Sequence, residues 1–347
     1  MSTLAIEQQS VIANVAEFCA SQGINPDDLE IGARDFGGNN QGFVLHSGDQ
    51  KFFLKRYFQG GVGSRDRLAS EWAFLDYALH CQVRTVPRPV WRDPNGLFGV
   101  YEYVAGRKLT PGEINGNHVA QFARFFGALN GEHRETGVAQ LIRASDGCSS
   151  IDENVEGVKR RLEQLAGIDP QKTVNRAALE LVAKLESQLR QSVERLPAPS
   201  KSVRYQLERG EHCVSPSDFG FHNALLRADG QLCFIDFEYA GWDDPAKMIA
   251  DLFCQPEIPI PFEHFDRFAT TCLHSGFANR EVIIERAQAL LPIVEIKWCC
   301  IMLNEFLSDS VERRRFADPE RDEVIHREMQ LEKIKRYLTQ SKSVAIQ

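Results

Sequence analysis

A chain of 347 residues, 43% hydrophobic and 25% charged, has the composition of an ordinary globular protein. At about 150 residues per unit it suggests two lobes or domains. Its formal net charge of −8 disfavours non-specific nucleic-acid binding, which needs a basic face. Nine scattered cysteines with no Cys-x-x-Cys pair and no zinc spacing predict reduced thiols in a cytoplasmic setting.

Residues 4–21 carry helical spacing, with Ile6, Val15 and Phe18 on one side, until Asn25-Pro-Asp-Asp breaks it. Three strands are predicted at 29–34, 42–46 and 51–57, the last two joined as a hairpin through Ser47-Gly-Asp-Gln. A glycine-rich connection, Phe36-Gly-Gly-Asn-Asn-Gln-Gly42, lies between the first two. Residues 65–80 read as a helix with Leu68, Trp72, Leu75 and Leu79 on its apolar stripe. Pro-rich turns then bracket two more strands, at 90–91 and 97–104.

From residue 117 the pattern is helical, at roughly 117–133, 151–166, 173–195, 262–275, 280–307 and 318–340, with one β interruption at 213–240. The most apolar stretch, 290–303, is broken by Glu295 and Lys297 and is too short for a bilayer, and the N-terminus lacks a secretory signal, so no membrane association is expected. A β-rich lobe at 1–105 ahead of a helical lobe at 106–347 predicts an α+β, protein-kinase-like bilobal fold.

The β interruption holds the strongest chemical signal. Ser215-Pro-Ser-Asp-Phe-Gly-Phe-His-Asn223 puts Asp218 and Asn223 five apart on a loop, and Leu232-Cys-Phe-Ile-Asp-Phe-Glu238 puts Asp236 at the end of an apolar strand. Phosphoryl transfer uses such a set: one carboxylate to accept a hydroxyl proton, and an Asn and an Asp to hold magnesium against nucleotide phosphates. The tripeptide Asp218-Phe219-Gly220 spells a protein-kinase magnesium motif, but no Asp or Asn occurs at 195–205 to serve as the required upstream base. Asp218 as base with Asp236 on metal satisfies both roles.

Lys55 stands on a strand just after the glycine-rich turn, placed to neutralise phosphates, with Arg56 on the opposite face. Glu71, near the start of the following helix, suits an ion pair with Lys55. Gly37, Gly38 and Asn39, which are also ordinary turn residues, suit a hairpin flap over phosphates. Past Asp236, the residues Glu238, Trp242 and Asp243 are candidate substrate contacts; Trp242 suits either stacking on a sugar or plugging the lobe. Glu238, Asp243 and Glu257 mildly favour a cationic group on the acceptor. Asp244 before Pro245 reads as a helix N-cap, and Asp251 as a brace beneath the loop.

With these residues in place, the chain resembles the aminoglycoside phosphotransferase and choline kinase family, small-molecule relatives of protein kinases. The resemblance follows lobe order over most of the chain and is most specific from Ser215 to Leu252. It implies ATP and Mg²⁺ as cofactors and a small-molecule hydroxyl as acceptor. It matches Asp218 to the catalytic base, Asn223 and Asp236 to the magnesium ligands, Lys55 to the phosphate-binding lysine and Glu71 to its partner. Glu102, Tyr103 and Val104 match the hinge whose backbone would hold adenine. Two departures stand out: Pro216 replaces the family's usual catalytic-loop His, and Asp251 lies six residues after Pro245 rather than at the usual spacing. The Pro216 departure motivates an alternative, a nucleotide-sensing pseudokinase; a kinase acting on protein is disfavoured by the lack of an Ala-Pro-Glu signal after Asp236.

Overall fold

The computed structural model describes residues 15–36, 38–60, 64–131, 141–198, 202–273 and 276–340. Most of the expected N-terminal helix therefore lies outside the described residues; its end is α1 (Ala16–Gln22), closed by Gly23 at φ 66°. Strands β1 (Glu30–Phe36), β2 (Gln41–Ser47) and β3 (Gln50–Arg56) follow, then α2 (Arg67–His80), β4 (Pro89–Arg92) and β5 (Phe98–Glu102). The five strands form one antiparallel sheet in the order β1-β2-β3-β5-β4.

Strand periodicity of two sorts the side chains of this sheet. Phe43, Leu45, Leu54, Phe98 and Val100 share one face and bury against Val15, Phe18 and Cys19. Lys55, one step along from Leu54, turns to the other face, towards α2 and the remainder of the chain. In the register Gly42 and Gly99 flank Lys55 on the two neighbouring strands, so no side chain crowds it from either side. Helix α2 starts where Asp66 accepts a hydrogen bond from the Ala69 N–H at 2.9 Å.

The rest of the chain is mainly helical: α3 (Gly116–Leu129), α4 (Ile151–Ala166) and α5 (Thr173–Glu194), then four short strands, β6 (Cys213–Ser215), β7 (Ala224–Leu226), β8 (Leu232–Phe234) and β9 (Gly241–Asp243). They pair as two small antiparallel ladders, β6 with β9 and β7 with β8. After them come α6 (Pro245–Cys254), α7 (Phe265–Cys272), α8 (Arg280–Leu303), α9 (Ser308–Ala317) and α10 (Glu323–Thr339). Among the described residues no helix is long and apolar enough to cross a membrane. The expected helix at 318–340 corresponds to α10, whereas α9 falls in a stretch whose Arg-rich sequence shows no apolar stripe.

An aromatic cluster anchors the loops between the short strands. Phe122 of α3 lies 4.1 Å from Phe221 and 4.6 Å from Phe219 between ring centroids. Phe125 stacks on Phe234 at 4.1 Å, and Phe74 of α2 on Phe237 at 4.4 Å. Helix α6 is buried along its whole length and packs on α8. As expected, Asp244 caps it, accepting from the Ala246 N–H, with Pro245 at the first helical position.

Candidate active site

Lys55 is the hub. Its Nζ donates to Glu71 Oε2 at 2.7 Å and to Asp236 Oδ1 at 2.5 Å. Strand β3, helix α2 and the segment after β8 thus meet on one buried ammonium. Burial alone would lower the Lys55 pKa; the Asp236 and Glu71 carboxylates overcome it and hold the pKa well above the ordinary value. Burial likewise pushes Asp236 up, and Lys55 outweighs it, keeping the carboxylate ionised below its usual range. Glu71 is itself tied in place, accepting from the Tyr57 hydroxyl at 2.7 Å and from the Phe237 N–H at 3.2 Å. The Tyr57 hydroxyl lies 2.6 Å from that of Tyr101; burial, with Glu71 next, raises both phenol pKa values well above normal.

Asp236 has φ 68° and Ser217 also φ 68°, two of the three non-glycine residues with left-handed backbone among those described. Such conformations cost energy and persist where the surroundings enforce them. One precedes Asp218 directly, and the other carries the carboxylate on Lys55.

On the loop after β6, the Asn223 side-chain amide donates to the Asp218 carbonyl at 3.0 Å, and lies 3.4 Å from Asp218 Oδ2. Asp218 keeps a side-chain exposure of 32%, and His222 Nε2 stands 3.2 Å from its Oδ1. Lys108 donates to the His222 carbonyl from the other side. The structure therefore sets Asp236, and not Asp218, against the lysine. The segments carrying Asn223 and Asp236 are joined where the Ile235 N–H bonds the Asn223 carbonyl at 3.0 Å, extending the β7–β8 ladder by one step.

Pro216 stands where a loop-bracing histidine was expected from the resemblance, and the loop is braced by other groups. The buried Asn130 amide spans the base of the loop: Nδ2 donates to the Val214 carbonyl at 3.0 Å, and Oδ1 accepts from the Val214 N–H at 2.8 Å. The Ser217 N–H donates to Ser215 Oγ at 3.0 Å. Phe219 and Phe221 sink into the α3 aromatic cluster, holding the loop from below.

The glycine-rich turn folds down onto the segment that follows Asp236. Gly37 lies outside the described residues. Asn39 Nδ2 donates to the Tyr239 hydroxyl at 3.2 Å, and Asn40 Nδ2 to Glu238 Oε2 at 2.5 Å. Asn40 was not singled out from the sequence, although it sits within the glycine-rich run; nor were Tyr57, Tyr101 and His222, whose partners are distant in sequence. Helix α9 covers the same turn: Arg314 donates to the Gly38 carbonyl at 3.4 Å, Gln41 to the Phe316 carbonyl at 2.6 Å, and Phe316 packs on Phe58 at 5.5 Å.

Of the candidate substrate contacts, two carboxylates turn inward. Glu238 is 1% exposed, held by Asn40 with Arg67 at 3.9 Å, and burial raises its pKa. Asp243 is fully buried, accepting from Lys247 Nζ at 2.6 Å and the Cys148 N–H at 2.9 Å. Glu257 pairs with Lys333. Trp242 is half-buried, and its backbone zips to the 142–144 segment through the Trp242 N–H to Ile142 carbonyl bond at 3.0 Å and the Ala144 N–H to Trp242 carbonyl bond at 2.9 Å. Asp251 braces α8 rather than the loop, pairing with Lys247 and Lys297. Glu102 closes β5, its N–H bonded to the Arg88 carbonyl at 2.9 Å; Tyr103 is exposed beyond it and Val104 half-buried.

A lysine held between two carboxylates under a glycine-rich hairpin, beside a loop bearing Asp and Asn, defines a class of protein: a phosphotransferase of the kinase type, with a hydroxyl acceptor. The chain belongs to the phosphotransferase enzyme family (APH), whose model matches residues 33–268. Among solved structures, choline kinase from Cryptosporidium parvum Iowa II is similar at 14% identity and TM-score 0.58, covering 97% of each chain. Ethanolamine kinase from Plasmodium vivax is similar at 15% identity and TM-score 0.57, covering 90% of this chain and 82% of its own. Spectinomycin phosphotransferase in complex with ADP and spectinomycin is similar at 12% identity and TM-score 0.54, covering 88% and 93%. At these identities the likeness is one of fold. A search of curated proteins finds no match.

Proposed function

We propose that this protein is an ATP- and Mg²⁺-dependent kinase that phosphorylates a hydroxyl of a small molecule: a sugar, amino sugar, aminoglycoside or amino alcohol. The observation that carries this reading is Lys55 Nζ bridged between Glu71 and Asp236 while Asp218 and Asn223 share the adjoining loop. Residues 1–105 form the nucleotide lobe in this reading, and 106–347 bring the catalytic loop and the acceptor. The hinge at Glu102, Tyr103 and Val104 would carry adenine, and Gly38 and Asn39 would cover the phosphates. All nine cysteines are free, in keeping with a cytoplasmic setting.

The side-chain oxygens of Asn223 and Asp236 are hard donors of the kind that would hold Mg²⁺. Asp236 fits this use because one carboxylate oxygen is taken by Lys55 while its side chain stays 40% exposed. When bound, the ion would offset charge on the nucleotide phosphates. Asp218 accepts the acceptor hydroxyl's proton, and Lys55, oriented by Glu71, places a fixed cation where negative charge gathers during transfer. The inward orientation of Glu238 and Asp243 leaves the charge of the acceptor to other residues.

The test incubates choline, ethanolamine, aminoglycosides, sugars and a cell metabolite extract with Mg-ATP and either wild type or Asp218→Asn, reading products by mass spectrometry. A phosphorylated product with wild type, falling by about 10²–10⁴-fold in the variant, is the expected result. Equal turnover by both proteins refutes Asp218 as the base. Nucleotide binding with no product from any acceptor refutes the kinase reading and favours a nucleotide-sensing pseudokinase.

A further inference from the structure

A cavity of about 240 Å³ lies between α4, α6, α8 and the 143–148 loop. Neither Asp218, Asn223 nor Asp236 lines it. Five cations do: Arg143 and Arg160 at the exposed rim, Arg161 half-buried between, and Lys247 and Lys297 buried at the floor. We propose that this cavity is a binding site for a small hydroxylated anion, a phosphate monoester or a carboxylate of metabolite size.

The side chains around it supply more hydrogen-bond donors than their partners use. A lysine ammonium has three N–H donors. Lys247 directs two contacts to carboxylates behind the wall, Asp243 at 2.6 Å and Asp251 at 3.0 Å, and Lys297 directs one to Asp251. Arg161 is met by Asp146 at 2.7 Å and Arg143 by Glu153, each leaving guanidinium N–H groups over. Arg160 makes no close ion pair or hydrogen bond among the described residues, its charge acting on Glu153 from a distance. The balance of five cations against Asp146, Glu153, Asp243 and Asp251 leaves one positive charge, and the two acids that neutralise the floor sit behind it rather than in the cavity.

Asn154 adds a second observation. It lines the same cavity, is 6% exposed, and its Oδ1 is buried with no partner, while its Nδ2 rests on Cys148 Sγ at 3.7 Å. A buried acceptor without a donor costs free energy, which a rotation of the amide towards a ligand hydroxyl would recover. The volume falls below the ~300–1,000 Å³ of sites for drug-sized ligands, so the occupant is a small metabolite. Gly157 opens the wall: a Cβ there would meet only Arg160 at 3.8 Å.

The cavity is wired to the catalytic segment. Arg65 donates to the Arg143 carbonyl at 2.8 Å, the Glu238 carbonyl at 3.1 Å and the Ala240 carbonyl at 2.6 Å. The loop that forms one wall is thereby clipped to the residues that follow Asp236.

The test is isothermal titration of the full chain with inorganic phosphate and with glycerol phosphate. Four variants are compared with wild type: Arg160→Glu, Gly157→Leu, Lys55→Met and the remote surface change Arg315→Glu. Wild type is expected to bind saturably, with the dissociation constant raised by about tenfold or more in Arg160→Glu, by charge, and in Gly157→Leu, by volume. Arg315→Glu should leave it unchanged, and Lys55→Met should retain saturable binding. Absence of saturable binding of both probes to folded wild type overturns the proposal. So does binding that is lost in Lys55→Met and kept in Arg160→Glu, which would put the anion at the catalytic lysine. The measurement does not use turnover, so failure of the kinase reading leaves it intact.

Discussion

Glu71 offers a sharp perturbation because three groups converge on one buried carboxylate. Its side chain is 5% exposed; it receives Lys55 Nζ at 2.7 Å, the Tyr57 hydroxyl at 2.7 Å and the Phe237 N–H at 3.2 Å. Glu71→Ala strips all three at once, leaving a buried hydroxyl and a buried N–H without an acceptor and Lys55 with Asp236 alone. Hydrogen bonds to a charged group contribute roughly 1.5–3 kcal/mol each, and breaking one side of a buried ion pair costs about 3–5 kcal/mol. Because Asp236 still holds the lysine, a loss of about 3–5 kcal/mol in unfolding free energy by chemical denaturation is expected. Glu71→Gln keeps shape and one acceptor oxygen and should lose about half of that. The decisive measurement is the double-mutant cycle with Lys55→Met: the coupling between Lys55→Met and Glu71→Gln should be about 1–3 kcal/mol, the double variant being less destabilised than the sum of the singles. Zero coupling, or a Glu71→Ala cost below about 1 kcal/mol, would refute the view that the pair holds β3, α2 and the Asp236 segment together.

Gly99 faces Lys55 across the sheet, and a Cβ there would come within 2.6 Å of the Tyr101 hydroxyl and 2.8 Å of its ring. The Tyr101 ring is pinned by its bond to Tyr57, so Gly99→Ala should cost about 1–3 kcal/mol of overpacking in chemical denaturation, and an unchanged midpoint would show that the ring moves freely. Burial lifts the Glu238 pKa above its ordinary 4.5; Lys55 opposes the shift and Asp236 adds to it. A carboxyl that holds its proton more tightly when folded favours the fold at low pH, and this contribution drains away as pH rises from the ordinary value through the raised one. Glu238→Gln removes that decline, so its thermal midpoint relative to wild type should improve as pH is raised across that window; a constant difference would contradict the burial argument.

The sequence made the Lys55 position readable because alternation on a strand is a local property: Leu54 and Lys55 must face opposite sides whatever the rest of the chain does. The same holds for Asp244 and Pro245, whose helix start is written in three adjacent residues. Spacing separates Asp218 from Asp236, Asn223 lying five residues after the first, and the structure gives them different partners, Asn223 and His222 for Asp218 and Lys55 for Asp236. What escaped was decided by partners far along the chain. Lys297 looked only like a charge interrupting an apolar run, and its meaning comes from Asp251 on another helix. Glu238 and Asp243 read as acids near a substrate, but burial, which no local pattern reveals, commits them to Asn40 and Lys247. Helix α9 escaped because it docks through Phe316 and backbone groups rather than through an apolar stripe.

The docking of α9 on the glycine-rich turn has a consequence for how the molecule is made. The bond from Gln41 to the Phe316 carbonyl spans 275 residues of sequence. At about 5–20 residues per second of synthesis, the hairpin emerges on the order of tens of seconds before its cover exists. During that interval Phe58 and the turn at Asn39 and Asn40 must wait without the side chains that later shield them. The turn at residues 38–41 is therefore among the last parts of the protein to be covered, and a ribosome stalled before residue 316 would hold a chain whose 215–223 loop is complete while that turn is still bare.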